Sequence, residues 1–382
     1  MQFGADFQSL IERFSPHADN ATALAVSGGS DSLALLHLAH DWAARAKRPL
    51  IVLTVNHRLR PEAKQEADTV AALCAELGHR HVTLKWETPR ASQAAARQAR
   101  YELLAEAVRA NDAGCLLTGH TFDDVVETAM IRRRRGVRDA SVAGPVLAAP
   151  VPAWPAGRSV TLLRPLIHCS RSELRAYLKV RGQDWVDDPS NENPAYERVR
   201  VRAFLARHPR LIALSKSFIR LQQEARLAEQ YALAENLRKI EVGPSGLIDT
   251  AGAALSSQML RLLIRCASGA VDDARDSAVR QLLETLTSPG QRQTLGGAWL
   301  QRTKMGFLIG RDPASDARSK QGDLFDGRYE RDSMANQPVA ANLPFLVRQS
   351  APPGPHWREI VSERMDPLIR CYHTPLLRPV QS

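Results

Sequence analysis

Short apolar runs alternate with longer amphipathic stretches through the first half of the chain, and this alternation restricts the fold more than any other feature. The runs typical of β-strands lie at residues 22–26, 50–56, 81–86, 115–119 and 160–163. The stretches with helical periodicity lie at residues 32–47, 61–77, 91–110 and 121–134. Such alternation indicates a parallel sheet covered by helices on both faces, with ligands bound beyond the carboxyl ends of the strands. We therefore predict an α/β fold with a doubly wound, mostly parallel sheet.

The pattern changes in the second half of the chain. Residues 211–240 read as one long charged helix, and shorter helical patterns follow at 254–266 and 274–286. Two strand-like runs at 298–303 and 307–310 flank Lys304, Met305 and Gly306, which we predict to form a hairpin turn. A chain of 382 residues is long for a single core. The predicted parts are a first domain at 1–210, a helical linker at 211–245, a small helical or α+β domain at 246–312 and a partly ordered appendage at 313–382.

Basic residues outnumber acidic residues in this chain. Lysine and arginine number 51 against 41 aspartates and glutamates, so the formal net charge is +10, which favours a polyanionic partner such as nucleic acid. The five cysteines are scattered, without the spacing of a disulfide framework or a zinc site. No apolar run reaches the roughly 18 residues that a membrane span needs. We expect a cytoplasmic protein with no membrane partner, and the sequence leaves the oligomeric state open, a homodimer included.

Six residues, Ser-Gly-Gly-Ser-Asp-Ser at 27–32, stand between the first predicted strand and the first predicted helix. Two glycines and a helix start expose backbone N–H groups, and the helix dipole adds partial positive charge, so this turn can hold an anion. The lysine that P-loop proteins use to hold β- and γ-phosphates is missing. Asp31 would stand beside the phosphates, which requires a divalent cation between them. The plainer interpretation is an ordinary strand-to-helix turn with Ser30 as its N-cap.

This loop is similar to the SGGxDS loop of the N-type ATP pyrophosphatases, the PP-loop superfamily, whose fold is described as adenine nucleotide α-hydrolase-like. Within that superfamily, further segments between residues 20 and 205 resemble the tRNA(Ile)-lysidine synthetase family in consistent order. They are VNHRLR at 55–60, AARQARY at 95–101, TGHTFDDVVET at 118–128, RPL at 164–166 and WVDDPSN at 185–191. A weaker match, TLGG at 294–297, fits that family's carboxyl-terminal domain.

The resemblance implies a catalytic first domain, a small tRNA-binding domain and a two-step reaction on the isoleucine tRNA whose CAU anticodon begins with cytidine. ATP adenylates the 2-carbonyl oxygen of that cytidine, and the ε-amine of free L-lysine then displaces AMP to form lysidine. The resemblance also implies that ATP and Mg²⁺ bind at the loop, with Asp31 as the metal ligand. The residues assigned to the nucleotide are Ser27, Gly28, Gly29, Ser30, Asp31, Ser32, His57, Gly119 and His120.

Acidic and basic residues on two predicted helices suit this chemistry. Asp123 and Glu127 lie four residues apart and share a face, whereas Asp124 is predicted to point aside. These carboxylates could bind the lysine amine or a metal, or accept a proton, although Asp123 and Asp124 could also simply complement a helix amino terminus. Arg97 and Arg100 face one side of the other helix, as substrate contacts or as solvated charges, and Arg100 is the stronger candidate for stabilising the adenylated intermediate. The predicted catalytic set is Asp31, Arg100, Asp123 and Glu127.

Consecutive arginines end the helical pattern at 121–134. They are Arg132, Arg133, Arg134 and Arg135. Four neighbours spread around all sides of a helix and cannot form one amphipathic face, so we predict a patch that contacts tRNA phosphates. A second basic run includes Arg198 and Arg202 and could serve the same polyanion, and solvent-exposed charge is the alternative for both runs.

Other functions fit parts of this pattern. A tRNA thiolase would share the loop but generally needs a catalytic cysteine pair or a Cys-x-x-Cys motif, and neither spacing is present. A GMP or NAD synthetase would not need so basic a chain. A non-catalytic RNA-binding protein would explain the charge but not the combination of Asp31 with Asp123 and Glu127.

Overall fold

The computed structural model describes most of the first 314 residues and five short pieces beyond them. The described ranges are 3–14, 21–57, 62–89, 92–137, 142, 144–186, 194–243, 245–270, 273–314, 320–321, 324–325, 329–331, 357–359 and 362–365. Parts of three predictions therefore lie outside the described residues: the segment at 55–60, the segment at 185–191 and most of the appendage at 313–382. The chain divides into two compact units, Met1–Gln230 and Tyr231–Ser382.

A six-stranded sheet forms the centre of the first unit. Its strands are β1 (Thr22–Ala25), β2 (Leu50–Asn56), β3 (Arg80–Lys85), β4 (Cys115–Thr118), β5 (Ala148–Pro150) and β6 (Thr161–Leu163). Their order across the sheet is β3-β2-β1-β4-β6-β5, and every neighbouring pair is parallel except β5 with β6. The direction of winding reverses between β1 and β4, so a crevice for ligands opens at the carboxyl ends of these two strands.

Helices connect these strands and continue beyond the sheet. They are α1 (Phe3–Phe14), α2 (Ser30–Ala46), α3 (Glu62–Glu76), α4 (Gln93–Ala110), α5 (Phe122–Arg134), α6 (Arg171–Val180), α7 (Glu197–Arg207) and α8 (Pro209–Leu237). The predicted apolar face of α2 is confirmed, because Leu35, Leu38 and Trp42 are all buried. Helix α6 packs against α2, which places its first residues near the loop after β1.

The central strands are apolar at successive positions because helices cover both faces of the sheet. Ala23 and Leu24 in β1 are fully buried, as are Leu116 and Leu117 in β4. Tyr101 on α4 packs into a core cluster with Ala23 and Leu116. Burying a large apolar side chain contributes roughly 1.5–3 kcal/mol, so the strands next to the crevice are held firmly.

The second unit contains two antiparallel sheets. Its described elements are β7 (Glu241–Val242), β8 (Ile248–Asp249), α9 (Ser257–Ser268), α10 (Asp276–Thr285), β9 (Arg292–Leu295), β10 (Ala298–Arg302), β11 (Phe307–Arg311), β12 (Lys320–Gln321), β13 (Leu324–Phe325), β14 (Tyr329–Arg331), β15 (Trp357–Glu359) and a 3-10 helix at Ser362–Arg364. The first sheet has the order β7-β8-β11-β10-β9, and the second has the order β12-β13-β14-β15. Helix α9 packs on the first sheet, and the buried Arg311 donates to the carbonyl of Ser268 at the end of that helix.

The predicted fold class is confirmed: a mostly parallel α/β sheet is followed by a smaller, separate unit. The predicted hairpin forms between β10 and β11. Helix α2 begins at Ser30, two residues earlier than predicted, and Gly29 rather than Ser30 is its N-cap. The sequence predictions do not include α1, β5, α6 and α7 in the first unit, or β7, β8, β9 and β12 to β15 in the second. Among the described helices, none combines the length and apolar character needed to cross a bilayer.

Candidate active site

The loop between β1 and α2 has the geometry of an anion-binding turn. Gly28 has a φ of +87°, a left-handed backbone conformation that residues with a Cβ rarely adopt. The Ser32 hydroxyl donates to the carbonyl of Gly29 at 2.9 Å and accepts from the N–H of Ser27 at 3.2 Å. Because α2 begins at Ser30, its unpaired N–H groups and the positive end of its dipole lie in the same loop. This arrangement suits a phosphate group.

The end of β4 approaches α2 too closely for a side chain. A Cβ on Gly119 would lie 2.9 Å from the carbonyl oxygen of Asp31 and 3.1 Å from the backbone nitrogen of Ser32. These are backbone atoms in the first turn of α2, so they cannot turn aside as a flexible side chain could. Glycine at this position therefore allows β4 to end against the loop that follows β1.

The segment that follows α6 also contacts the loop. The N–H of Val186 donates to the carbonyl of Gly28 at 3.2 Å. Arg175 on α6 donates to the hydroxyl of Ser30 at 3.4 Å, and its guanidinium lies 5.4 Å from the centroid of the Trp185 ring. Arg175 therefore adds a positive charge at the start of α2.

One arginine gathers the acidic residues that the sequence analysis singled out. The Nε–H of Arg171 donates to Oδ2 of Asp31 at 3.0 Å. Two other nitrogens of this guanidinium lie 3.4 Å from Oδ1 of Asp124 and 3.4 Å from Oε1 of Glu127. The backbone N–H of Arg171 donates to Oδ2 of Asp123 at 2.7 Å, which satisfies a donor that a helix start leaves open. Four carboxylates from α2 and α5 thus meet at the first residue of α6.

The prediction that Asp124 points aside is wrong. Asp124 is the third residue of α5 and forms a capping box with Thr121, whose N–H donates to Oδ2 at 2.8 Å. Its other carboxylate oxygen faces Arg171. Side chains in the first turn of a helix often fold back over the N-cap, so the ordinary projection of a helical side chain does not apply.

Glu127 is the centre of an internal ion cluster. Its side chain is only 2% exposed, and Arg202 donates to its Oε1 at 2.8 Å. Arg198 Nε lies 3.0 Å from the other carboxylate oxygen. A buried carboxylate is tolerated when it is paired and hydrogen-bonded, and α7 supplies both of these arginines. Arg198 and Arg202 therefore serve this cluster, whereas the sequence analysis considered them as contacts for a polyanion.

The cluster shifts pKa values in opposite directions. Burial raises the pKa of Asp31 above its ordinary value, and the charge of Arg171 opposes this shift only in part. Burial also favours protonation of Asp124, but the charges of Arg171 and Arg198 outweigh it, so the pKa of Asp124 is lowered. Burial disfavours the charge on Arg171, yet the surrounding carboxylates raise its pKa. The guanidinium stays charged, and Asp31 is a less stable anion than Asp124.

Two histidines lie at the carboxyl ends of the strands. Nδ1 of His120 is 2.9 Å from the hydroxyl of Thr118, and burial together with the charge of Arg164 lowers the pKa of His120 to about 3. Burial also lowers the pKa of His57, which follows β2 and meets the edge of Trp86. Both imidazoles are therefore neutral near pH 7 and can serve a nucleotide through hydrogen bonds rather than charge.

Arg97 and Arg100 stand over the ring of a buried tyrosine on α4. Their guanidinium carbons lie 5.0 Å and 5.3 Å from the centroid of Tyr101, which is 1% exposed. Burial lowers the pKa of Arg100 and, acting alone, would raise that of Tyr101. The charges of Arg97, Arg100 and Arg164 reverse the effect on the phenol and lower its pKa. This concentration of positive charge suits an anionic group.

The consecutive arginines end α5. The helix runs to Arg134, and Arg135 is its C-cap. Arg133 and Arg134 are exposed, and the Arg133 guanidinium lies 5.4 Å from the centroid of Phe218 on α8. Arg135 is also exposed and pairs with Glu197, while Arg132 is partly buried. Basic side chains are favourable at a helix carboxyl terminus, and the exposed ones present their charge to solvent.

Sequence analysis missed α6 and therefore missed Arg171 and Arg175. A signal was present in the sequence, because Ser170 and Glu173 form a capping box at the start of this helix. The pattern Ser-x-x-Glu before residues with helical periodicity indicates a helix start. The contact between Arg171 and Asp31 has no comparable sequence signal, since the two residues lie 140 positions apart.

A known protein family has a sequence model that matches the part of the chain containing the parallel sheet and the loop after β1. The family model described as the PP-loop domain matches residues 3–209, which is more than half of the chain. The parallel sheet, the Ser-Gly-Gly-Ser-Asp-Ser loop and this match define the class: the first unit is a PP-loop domain that uses ATP.

Curated relatives identify the family within this class. The tRNA(Ile)-lysidine synthase of Hyphomonas neptunium is 39% identical over 290 residues, which cover 73% of this chain and 78% of that protein. The same enzyme of Caulobacter vibrioides is 33% identical over 335 residues, or 84% of this chain and 76% of that protein. The enzyme of Rhizobium meliloti is 47% identical over 201 residues, which cover 48% of this chain and 43% of that protein. The chain belongs to the tRNA(Ile)-lysidine synthase family.

Proposed function

We propose that this protein ligates free L-lysine to the wobble cytidine of the isoleucine tRNA with the CAU anticodon, in the cytoplasm. ATP is cleaved between its α- and β-phosphates, AMP joins the 2-carbonyl oxygen of the cytidine, and pyrophosphate leaves. The ε-amine of lysine then displaces AMP to form lysidine. The observation that carries this proposal is that a phosphate-binding loop and four carboxylates meet at one edge of the sheet in a chain of this family.

The nucleotide half of the site uses the loop from Ser27 to Ser32. Its backbone N–H groups and the α2 dipole attract the phosphates, and Arg175 adds charge beside Ser30. Gly119 allows the end of β4 to lie directly against the first turn of α2, beside the loop. These donors favour the departing pyrophosphate because they are already oriented before its charge develops.

Asp31 is the residue proposed to hold Mg²⁺. Within the described ranges, no group of three or more His, Cys, Asp or Glu side chains is arranged to hold a metal by itself. Mg²⁺ is commonly bound by one or two carboxylates together with substrate phosphates and water, and Asp31 is the second residue of α2, beside the loop. When bound, the ion supplies Lewis-acid stabilisation of charge on the phosphates.

The acidic cluster is proposed to serve the lysine half of the reaction. A lysine amine must arrive as an ammonium and lose a proton before it attacks, and nearby carboxylates favour both the binding and the proton transfer. Asp124 faces the cluster, and Asp123 holds the amide of Arg171. Glu127 keeps three guanidiniums in place. Arg97 and Arg100 are proposed to stabilise the adenylated cytidine through the negative charge on its phosphate group.

The tRNA is proposed to bind through basic surface on both units. A formal charge of +10 favours a polyanion, and the exposed arginines at the end of α5 are the proposed phosphate contacts in the first unit. We assign catalysis to residues 1–210, a linking role to 211–245 and tRNA binding to 246–312.

Sulfur transfer by a thiolase is disfavoured by the cysteines. Cys74, Cys115 and Cys266 are buried, Cys169 is partly exposed, and burial raises the pKa of the Cys74 thiol to about 11. A thiolate is the reactive form of cysteine, so a thiol with a raised pKa is a poor nucleophile or cluster ligand. Cys371 lies outside the described residues.

The decisive experiment supplies ATP, labelled lysine and an isoleucine tRNA transcript to the purified protein. We expect AMP and pyrophosphate to form together with lysine-labelled tRNA, and a transcript with uridine in place of the wobble cytidine to give neither. Asp31→Ala should abolish AMP formation while preserving tRNA affinity. Incorporation of sulfur instead of lysine, or equal activity on the uridine transcript, would refute the proposal.

A further inference from the structure

The guanidinium of Arg171 lies where the proposed function requires other cations to bind. It contacts the carboxylates of Asp31, Asp124 and Glu127 at 3.0–3.4 Å. The side chains of Arg171 and Asp31 are 18% and 20% exposed, so a small ligand can reach the pair from solvent. A lysine ammonium carries the same single charge as this guanidinium. The protein thus holds one of its own cations at the place proposed for its cationic substrate.

The three carboxylates depend on Arg171 to different degrees. Glu127 has two further partners in Arg198 and Arg202, at 3.0 Å and 2.8 Å. Asp124 has a second guanidinium only at 3.9 Å, from Arg198. Asp31 has Arg171 as its one ion-pair partner among the described residues. Departure of the Arg171 side chain would therefore leave Asp31 and Asp124 in need of another cation, because a partly buried carboxylate without a partner is costly.

The backbone of Arg171 is fixed, whereas its side chain has an alternative partner nearby. The carboxylate of Asp123 accepts the Arg171 N–H at 2.7 Å, and the capping box of Ser170 and Glu173 closes the start of α6. These contacts hold the helix without using the guanidinium. Asp31 belongs to the first turn of α2, beside the phosphate-binding loop, so phosphates bound there would attract the same guanidinium. Arginine binds phosphate in a bidentate manner, as it binds carboxylate.

We propose that Arg171 is a positioning residue that exchanges partners during the reaction. Without nucleotide it neutralises Asp31 and Asp124 and excludes lysine from the acidic cluster. When ATP occupies the loop, the guanidinium turns to the phosphates and the lysine ammonium takes its place. Lysine and nucleotide therefore bind with positive coupling, and lysine is admitted only after ATP has bound. This inference rests on the proposed function.

Equilibrium dialysis with radiolabelled lysine tests the exchange directly. The full-length protein is titrated with and without α,β-methylene-ATP and Mg²⁺, an analogue whose α–β bond cannot be cleaved. Coupling free energies between ligands usually correspond to about 5- to 150-fold changes in affinity, and we expect the analogue to raise lysine affinity about tenfold or more. Coupling is reciprocal, so lysine should raise the affinity of the analogue by the same factor.

Two substitutions and one control separate this role from a structural one. In Arg171→Met, lysine should bind tightly without nucleotide, and the analogue should no longer raise its affinity. Arg171→Lys keeps a charge but cannot bridge several oxygens, so it should retain a weaker coupling even if the methionine variant folds poorly. Arg181→Met is the matched control, because Arg181 pairs with Asp41 and so also links α6 to α2, away from the carboxylates. It should couple as the wild type does.

The possible outcomes distinguish the inference from the proposed function. Unchanged coupling in Arg171→Met, or tight lysine binding by the wild type without nucleotide, would overturn the inference alone. Loss of coupling in Arg181→Met would show that any α2–α6 link suffices and would also overturn it. If no form of the protein binds lysine at any nucleotide concentration, the proposed function fails and the inference fails with it.

Discussion

Replacing Gly119 by alanine is a small change that should slow catalysis while leaving the overall fold in place. The new Cβ would lie 2.9 Å from the Asp31 carbonyl oxygen and 3.0 Å from the Asp31 carbonyl carbon. Ordinary van der Waals contact begins near 3.4 Å, so the end of β4 and the start of α2 must separate by about 0.5 Å. The atoms that move belong to the residue proposed to hold Mg²⁺.

The expected cost follows from this separation. Overpacking of a well-packed site typically costs about 1–3 kcal/mol. For a unit of this size each kcal/mol lowers the Tm by roughly 2–4 °C, so a decrease of roughly 2–12 °C is expected. A misplacement of about 1 Å can reduce a rate by roughly 10²-fold, so a shift near half that size should slow AMP formation by about tenfold or more. Binding of tRNA should change little.

Thermal melting and tRNA-dependent AMP release measure the two effects. Gly114→Ala is the matched control, because Gly114 precedes the same strand and its added Cβ would meet nothing within 4 Å. The control should melt and turn over as the wild type does. If Gly119→Ala also matches the wild type in both measurements, the close approach of β4 to α2 does not position Asp31, and the assignment of this edge as the nucleotide site loses its geometric basis.

Two further predictions concern charge. Replacing Arg133 and Arg134 by alanine should flatten the dependence of log tRNA affinity on log salt concentration, by about 0.7 for each phosphate that is no longer neutralised. The control Lys64→Ala on α3 should leave this slope unchanged, and equal slopes for the two variants would show that Arg133 and Arg134 neutralise no tRNA phosphate. The pKa of His120 is about 3 in the folded protein against 6.5 ordinarily, so the unfolded chain binds more protons between these two pH values. The stability that neutral His120 contributes is therefore complete above pH 6.5 and is lost as the pH falls toward 3. Urea unfolding of His120→Gln should therefore show a flatter loss of stability below pH 6.5 than the wild type, and parallel curves would contradict the lowered pKa.

Local patterns made much of the fold predictable. Alternating apolar periods predicted five of the six strands in the large sheet, to within one or two residues at their ends. The missed strand β5 has three residues and ends in a proline, so it carries almost no periodic signal. Helix α6 was predictable from its capping box, and its omission was an error of interpretation rather than a lack of information.

The site was predictable only where its residues are neighbours in the sequence. The loop after β1 has the expected anion-binding geometry because glycine conformation and helix starts are local properties. The orientation of Asp124 was predicted wrongly because a capping interaction competes with ordinary helical projection. The roles of Arg198 and Arg202 at Glu127 could not be foreseen, because a basic run in sequence does not reveal which carboxylates it will meet.

The sequence by itself determined the parallel α/β architecture and an anion-binding loop with a carboxylate in it, since apolar periodicity and backbone conformation depend on near neighbours. Only the tertiary structure decided how the charges are paired. Arg171 reaches Asp31 across 140 residues, and Glu127 meets two arginines of a helix that the sequence analysis missed. Ion pairs depend on distances of a few ångströms between side chains remote in the chain, and those distances exist only after the sheet and its helices have packed.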